Sequence, residues 1–166
     1  ENITKIKGVF SGSLSYIFNT FSVSDVPFSK VVLEAMEKGF TEPDAREDLS
    51  GNDVARKLLI LARELDLKNE FSDITIQNLI PEGLQSITKD AFVEKIETLN
   101  TNFKKLKESQ KPNNVLRYVG ELGGDLQKEK GTLTVQLISV PQESALGQVK
   151  GSDSIIEIYT ESYGEI

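Results

Sequence analysis

The sequence predicts an α+β domain, in which helices pack on one face of a mixed, largely antiparallel sheet. Two observations support this prediction. Apolar residues recur with helical spacing through most of the first two thirds of the chain. Three runs with strand-like residue preferences follow in the last third, and a charged, glycine-rich loop joins the first two of them. At 166 residues, the chain is long enough to bury the core of one domain, which we expect to cover 1–166.

The first half of the sequence predicts one strand followed by three helices. A turn at Ser11-Gly12-Ser13 separates the strand from the first helix, and Gly39 ends the second helix. Ser50 and Asp53 form a Ser-x-x-Asp capping box, which predicts Ser50 as the N-cap of the third helix. The predicted extents are 6–11 for the strand and about 14–21, 27–39 and 50–66 for the helices.

The second half predicts a strand over 74–80, stopped by Pro81, and one long amphipathic helix from Thr88 to about Glu108. The late strands are predicted at 115–120, 133–138 and 154–160, with a hairpin loop over 121–131. We expect the tyrosines of this region to pack on strand faces. They are Tyr118, Tyr159 and Tyr163.

Composition excludes several classes of site. The chain has no Cys and no His, which excludes thiolate and imidazole metal sites and Ser-His-Asp triads. The absence of Cys fits a reducing compartment, so we expect a cytoplasmic location. A net charge of −7 argues against nucleic-acid binding, and no apolar run approaches the roughly 20 residues that span a bilayer. Because the chain begins at Glu1 without Met and stops at Ile166 after a strand-like run, we expect a piece of a larger protein.

The segment from Gly39 to Lys57 is too rich in charge for a core and suits a pocket that holds an ammonium group. Within it, Asp53 and Lys57 are four residues apart on a predicted helix. One interpretation is a surface ion pair that stabilises the helix by about 0.3–0.5 kcal/mol. The other places the pair at the edge of the apolar face, because Val54 and Leu58 flank it, and makes Lys57 a general acid or base.

Glu42 is the acidic residue of this segment whose side chain is best fixed, because the following Pro43 restricts its backbone. Asp44 and Glu47 are predicted to be part of a solvated turn. A divalent metal is the weaker hypothesis, since calcium loops need denser oxygen spacing, and we predict no metal site. The glycines of 120–124 do not follow the Gly-x-Gly-x-x-Gly pattern and precede no helix, so they predict no dinucleotide site.

These motifs resemble the homoserine dehydrogenase family. The signature lies in GFTEPD at 39–44 and DVARK at 53–57, and the segment 8–19 resembles the strand–turn–helix entry to that family's substrate domain. The segments 115–120 and 149–153 resemble its late strands. The likeness therefore extends over nearly the whole chain. The sequence departs from the family at Phe40, where Tyr is usual, and at Ala45, where Pro is frequent.

The resemblance implies a substrate-binding and catalytic domain that interconverts aspartate 4-semialdehyde and homoserine, on the route to threonine and methionine. By this likeness Lys57 gives a proton to the aldehyde oxygen, and Glu42 and Asp53 hold the α-ammonium group. Asp48 orders the polar end of the pocket, and Gly12 and Ser13 line it.

The cofactor implied is NADP or NAD, which the family's Rossmann domain binds for the most part. That domain has no counterpart in these residues, although Gly39 and Glu42 are expected to face the nicotinamide. The likeness also implies a homodimer formed through the sheet and, more weakly, fusion to an aspartate kinase. The alternative is a non-catalytic regulatory or oligomerisation domain with a solvated acidic loop. Convergence of Glu42, Asp53 and Lys57 on one cavity favours the enzyme.

Overall fold

The computed structural model describes residues 2–161 and 164–165, the last two by their backbone alone. The helices are α1 (Gly12–Val23), α2 (Phe28–Glu37), α3 (Arg46–Leu49), α4 (Asn52–Glu64), α5 (Glu82–Gln85), α6 (Lys89–Lys95) and α7 (Asn100–Glu108). The strands are β1 (Ile3–Val9), β2 (Thr75–Ile76), β3 (Asn114–Gly123), β4 (Thr132–Pro141), β5 (Ile155–Thr160) and β6 (Gly164–Glu165). Tyr163 lies outside the described residues.

The strands form one sheet in the order β2-β4-β3-β1-β5-β6. Among the described strands, only β2 and β4 pair in parallel, and every other neighbouring pair is antiparallel. Helices α1 and α4 pack on β3 at the centre of the sheet, and the main hydrophobic core lies between this face and the helices. The predicted α+β class and the mixed, largely antiparallel sheet are confirmed, as is the hairpin that joins β3 to β4.

Four aromatic rings hold the first two helices to α7. Phe18 and Phe21 of α1 both lie against Phe28 at the start of α2, and all three contact Phe103 of α7. The rings of Phe28 and Phe103 are stacked, with centroids 3.7 Å apart. Because Phe103 is 75 positions further along the chain than Phe28, this cluster fixes the far end of the helical layer, and α1 is thereby anchored at its C-terminal half.

The sheet face away from the helices, called here the second face, carries a smaller apolar cluster built on Val9, Val115, Val119 and Val140. The loop over 142–153 covers part of it. The buried guanidinium of Arg117 holds this loop, since it donates to the carbonyl oxygens of residues 146 and 147 at 3.1 and 2.9 Å. Burial lowers the pKa of Arg117. The segment 149–153, expected to form part of a late strand, lies in this loop instead.

The strand predicted over 74–80 is wrong for most of its length, because β2 has only two residues. Beyond β2 the backbone N–H groups find partners outside a regular ladder. The N–H of Leu79 donates to the carbonyl of Leu49, and that of Ile80 donates to the side chain of Asn78. These bonds turn the chain toward α5.

The single helix predicted from Thr88 to Glu108 is also wrong, although Thr88 does cap its beginning. A 3-10 turn at Ile96–Leu99 separates α6 from α7. The interruption places Asn100 against the first turn of α2, where its side-chain oxygen accepts from the N–H of Ser29 at 2.7 Å. Asn100 therefore supplies a cap that α2 lacks locally, since its own N-cap is Pro27.

The capping box predicted at Ser50 and Asp53 does not form. The N-cap of α4 is Gly51, whose φ of +82° is a left-handed conformation that favours glycine. Ser50 continues the preceding turn, and its hydroxyl donates to the carbonyl of Glu47. Asp53 is thereby free of a capping role, and its carboxylate contacts Lys57.

Candidate active site

Residues 39–51, called here the acidic segment, line one open cavity of about 320 Å³ together with the β1–α1 junction and the first two turns of α4. It is lined by Ser11, Gly12, Ser13, Phe40, Glu42, Glu47, Asp48, Asp53, Val54, Arg56 and Lys57. Six of the seven predicted site residues are therefore at one place. Glycine 39 is the exception, since it does not line the cavity.

Lys57 has two partners at the cavity wall. Its Nζ lies 2.9 Å from Oδ2 of Asp53 and donates a 2.9 Å hydrogen bond to the carbonyl oxygen of Phe10. The side chains of Lys57 and Asp53 are 47% and 58% exposed, so the pair is open to water, and the bond to Phe10 ties Lys57 to the end of β1. An ammonium group has three N–H donors, and these two contacts leave one for a ligand in the cavity.

Asp48 joins α1 to the acidic segment. Its Oδ1 accepts a 2.7 Å hydrogen bond from the hydroxyl of Ser13, and its Oδ2 accepts one of 3.0 Å from the backbone N–H of Glu42. Burial raises the pKa of Asp48 above its usual range, and the two hydrogen bonds offset part of that effect. Ser11 caps α1 by accepting from the N–H of Leu14, and its hydroxyl lies 3.1 Å from that of Ser13.

Glu42 reaches the same cavity from the acidic segment. Its backbone is fixed by Asp48, and Thr41 donates to its carbonyl at 2.8 Å. Within the described part of the chain, its carboxylate takes part in no hydrogen bond or ion pair and is exposed to the cavity. An acceptor that is held by its backbone and unengaged at its tip suits a cationic ligand.

Gly39 has a clear structural role. Its φ is +78°, and its N–H donates to the carbonyl of Met36 while the N–H of Phe40 donates to that of Ala35. These two bonds form a Schellman motif, which ends α2 and starts the acidic segment. A contact of Gly39 with a cofactor stays a prediction.

The sequence predicted that Asp44 is part of a solvated turn. In the structure its carboxylate is instead held by Arg46. Arg46 donates to both of its carboxylate oxygens, at 3.0 Å from Nε and 2.7 Å from Nη2, and this guanidinium lowers the pKa of Asp44. The Nη1 of Arg46 also donates to the carbonyls of Leu84 and Ile87 at 2.9 and 2.7 Å. The Asp-x-Arg spacing was visible in the sequence, but the carbonyls that complete this contact lie about 40 residues away.

Two kinds of site considered from the sequence, a carboxylate metal site and a glycine-rich dinucleotide loop, can be compared with the described residues. No group of three or more carboxylates comes together among them in a way that would hold a metal ion. The glycine-containing run at 120–124 continues β3 into the hairpin and opens no helix, so a dinucleotide does not fit there. In the same described part of the chain, none of the helices combines the length and the apolar composition needed to traverse a lipid bilayer.

Comparison with known proteins identifies the family of the chain. The family model described as homoserine dehydrogenase matches residues 1–166. The bifunctional aspartokinase/homoserine dehydrogenase 1, chloroplastic, of Arabidopsis thaliana is 44% identical over 99% of this chain and 18% of its own length. The homoserine dehydrogenase of Emericella nidulans is 41% identical over 99% of this chain and 46% of its own length. The chain thus spans less than a fifth of the plant relative and about half of the fungal one.

A solved structure has the same fold. A Candida auris protein of unknown function superposes with a TM-score of 0.85 and is 38% identical, covering 98% of this chain and 46% of its own. The likeness again extends over the whole of this chain and leaves more than half of the other protein unmatched.

Proposed function

The chain belongs to the homoserine dehydrogenase family, and we propose that it is the part of such an enzyme that binds the substrate and donates the proton. The reaction proposed is the interconversion of aspartate 4-semialdehyde and homoserine in amino-acid biosynthesis. The observation that best supports it is the position of Lys57, which is held by Asp53 and by the Phe10 carbonyl in a cavity that Glu42 also lines.

The cavity suits a small amino acid that carries an aldehyde. The carboxylates of Glu42 and Asp53 take the α-ammonium group, because a cation is best bound by charged acceptors that are already in place. Asp48 acts on the substrate through other residues, since its two oxygens are engaged by Ser13 and the backbone of Glu42. Gly12 and Ser13 form the wall next to it.

Lys57 acts at the other end of the substrate. Its remaining N–H donates to the aldehyde oxygen, which stabilises the alkoxide that develops during reduction and then protonates it. In its reduced form, a nicotinamide cofactor (NADH or NADPH) would supply the hydride that this reduction needs. Because the glycine-containing run at 120–124 opens no helix, we propose that a part of the protein outside this chain binds the cofactor, with at most Gly39 and Glu42 contributing from this side.

Three further proposals follow from family membership. The protein forms a homodimer through the sheet, a proposal supported by the apolar cluster of the second face, which the loop over 142–153 covers in part. It has the fused aspartate kinase of its plant relatives, and it acts in the cytoplasm, although those relatives are named chloroplastic. The alternative function, a regulatory or oligomerisation domain, would leave the acidic side chains dispersed in solvent, and their convergence on one cavity argues against it.

The test is Lys57→Met in the complete protein. We expect kcat for the reduction of aspartate 4-semialdehyde to fall by roughly a thousandfold with little change in KM, the pattern of a contact made mainly in the transition state. The matched control is Lys104→Met, which removes the lysine of another i,i+4 pair, with Glu108, on the solvent face of α7. Equal activity of the two variants would return Lys57 to the surface ion-pair interpretation. The 166-residue chain alone is expected to show no turnover.

A further inference from the structure

Two glycines lie opposite each other beneath the ring of Phe10. Gly8 of β1 and Gly120 of β3 are cross-strand partners, called here the glycine pair. A Cβ at Gly8 would lie 2.9 Å from Cζ of Phe10, and a Cβ at Gly120 would lie 2.9 Å from its Cε2. Both distances are shorter than van der Waals contact between carbon atoms. The ring therefore occupies the space that side chains at these two positions would need.

The backbone of Phe10 has a separate contact with the site. Phe10 follows the last residue of β1 and precedes Ser11, the N-cap of α1, and its carbonyl accepts from Nζ of Lys57 at 2.9 Å. The ring is buried, with 8% of the residue exposed. One residue therefore carries both the buried ring and the carbonyl that contacts Lys57.

We propose that the glycine pair is a positioning device for the proton donor. It admits the ring of Phe10, the packed ring fixes the Phe10 carbonyl, and the carbonyl together with Asp53 directs the ammonium group of Lys57 into the cavity. The inference rests on the proposed function, because it concerns the residue that donates the proton there. Gly8 and Gly120 are positioning residues, and neither touches the substrate.

Gly120 has the more informative surroundings of the two. Its Cβ would also lie 3.2 Å from Cγ1 of Val54, the residue that follows Asp53 on α4. An alanine there presses on both sides of the site, toward Phe10 and toward the helix that carries Asp53 and Lys57. A Cβ at Gly8 would instead come within 2.5 Å of the carbonyl oxygen of Ile155, a backbone collision that would disturb the sheet itself.

Loss of the carbonyl contact should affect catalysis more than binding. With Asp53 as its only fixed partner, Nζ of Lys57 would rotate about that contact, and its free N–H would lose its direction. The groups proposed to hold the substrate ammonium, above all Glu42, would stay in place. A proton donor that is misplaced by about 1 Å costs on the order of a hundredfold in rate.

The experiment is Gly120→Ala in the complete protein, with kcat and KM measured for the reduction of aspartate 4-semialdehyde. We expect kcat to fall by roughly a hundredfold while KM stays within about threefold of the original value. The control is Gly123→Ala on the same strand, where a Cβ would lie 3.9 Å from Cγ of Lys5, an ordinary contact, and should leave kcat unchanged. Adding Phe10→Leu to Gly120→Ala makes room for the new methyl group and should recover part of the lost kcat.

Each outcome is decisive. The inference is overturned if Gly120→Ala and Gly123→Ala have the same kcat. It is also overturned if Gly120→Ala changes kcat and KM in parallel and the addition of Phe10→Leu restores neither. If thermal unfolding shows that Gly120→Ala does not fold, Phe10→Leu alone decides. A lower kcat at unchanged KM supports the inference, and an unchanged kcat overturns it. Full activity of Lys57→Met is a different failure, since it removes the proposed function itself.

Discussion

The hydroxyl of Ser13 donates a 2.7 Å hydrogen bond to Oδ1 of Asp48, across 35 residues of sequence. This contact joins the first turn of α1 to the acidic segment. Since the second oxygen of Asp48 accepts from the backbone of Glu42, the same carboxylate also fixes the segment that carries a proposed substrate ligand. One half-buried acid therefore aligns two walls of the cavity.

The half-buried position of Asp48 gives the protein a pH dependence that Asp48→Asn should remove. Burial raises the pKa of this carboxyl above 3.8, so the folded protein holds the proton more tightly than the unfolded chain does. The stabilisation that the protonated Asp48 carboxyl gives to the folded protein is complete below about pH 3.8, and it is lost as the pH rises through the pKa of the folded protein. Asp48→Asn does not lose this contribution. Its free energy of unfolding, relative to that of the original protein, should therefore increase as the pH rises from about 3.5, below the onset of this titration, toward neutrality.

Denaturant unfolding of the complete protein at a series of pH values measures this difference. Asp25→Asn, at an exposed carboxylate between α1 and α2, controls for the loss of one negative charge. A difference between Asp48→Asn and the original protein that stays constant across the series would contradict the prediction.

Gly51 and Tyr118 are the basis of a second prediction. A Cβ at Gly51 would lie 1.9 Å from the hydroxyl oxygen of Tyr118, and the φ of +82° is itself unfavourable for any other residue. We expect Gly51→Ala to lower the free energy of unfolding by about 2–4 kcal/mol, from backbone strain and overpacking together.

The control for this prediction is Gly83→Ala in α5, where a Cβ would meet no atom within 4 Å and should change stability by less than about 1 kcal/mol. Tyr118→Phe in the Gly51→Ala background removes the contact of the new Cβ with the hydroxyl oxygen, but leaves the strained φ and the 3.0 Å contacts with Cζ of the ring and Cγ2 of Ile76. Tyr118→Phe alone measures the loss of the hydrogen bond that this hydroxyl donates to the carbonyl of Gln77. Equal unfolding free energies for the two alanine variants would contradict the role given to Gly51.

The sequence predicted the parts of the fold that depend on local pattern. The periodicity of Leu14, Ile17, Phe18 and Phe21 located α1, and the alternating late strands located the β3–β4 hairpin. Helix boundaries were less predictable wherever a distant residue decides them. The N-cap of helix α4 is Gly51, where the hydroxyl of Tyr118 leaves no room for a side chain. Tyr118 is distant in the sequence, so no pattern near Ser50 could indicate this contact.

The same limit applied to the site. The spacing of Asp53 and Lys57 and the restricted backbone of Glu42 were local signals, and these residues do share one cavity. The second partner of Lys57 is the main-chain oxygen of Phe10, 47 residues away, and a carbonyl leaves no mark in a sequence. The prediction that Asp44 is solvated was wrong for a similar reason. Its partner Arg46 is held in place by carbonyls that are distant in the sequence.

Arg46 is the basis of a stability prediction. Its guanidinium spans Asp44 and the carbonyls of Leu84 and Ile87, with 13% of its side chain exposed. Arg46→Lys keeps the charge but loses the planar fork, so several of these acceptors go unsatisfied. We expect the free energy of unfolding to fall by roughly 2 kcal/mol. Arg56→Lys, at an exposed arginine with no hydrogen bond or ion pair in the described part of the chain, should change it little, and a similar loss in both variants would contradict the prediction.

Glu42 and Glu47 line the same cavity, which allows a direct test of the proposed ammonium site. The backbone of Glu42 is held by Asp48, whereas Glu47 lies in the first turn of α3 with an exposed side chain. In the complete protein, Glu42→Gln should raise KM for aspartate 4-semialdehyde by roughly tenfold to a hundredfold, the effect of weakening a charge-assisted hydrogen bond. Glu47→Gln should change it by less than about threefold, because an exposed charge contributes little.

The substrate provides the decisive control for Glu42. 4-Oxobutanoate keeps the aldehyde and a carboxylate but lacks the α-ammonium group, so a carboxylate that recognises ammonium has no counterpart to bind on it. The original protein should turn it over with a much higher KM than aspartate 4-semialdehyde, and Glu42→Gln should leave that value unchanged. If Glu42→Gln weakens both substrates equally, the residue shapes the cavity without recognising the ammonium, and the assignment of Glu42 to that group is wrong.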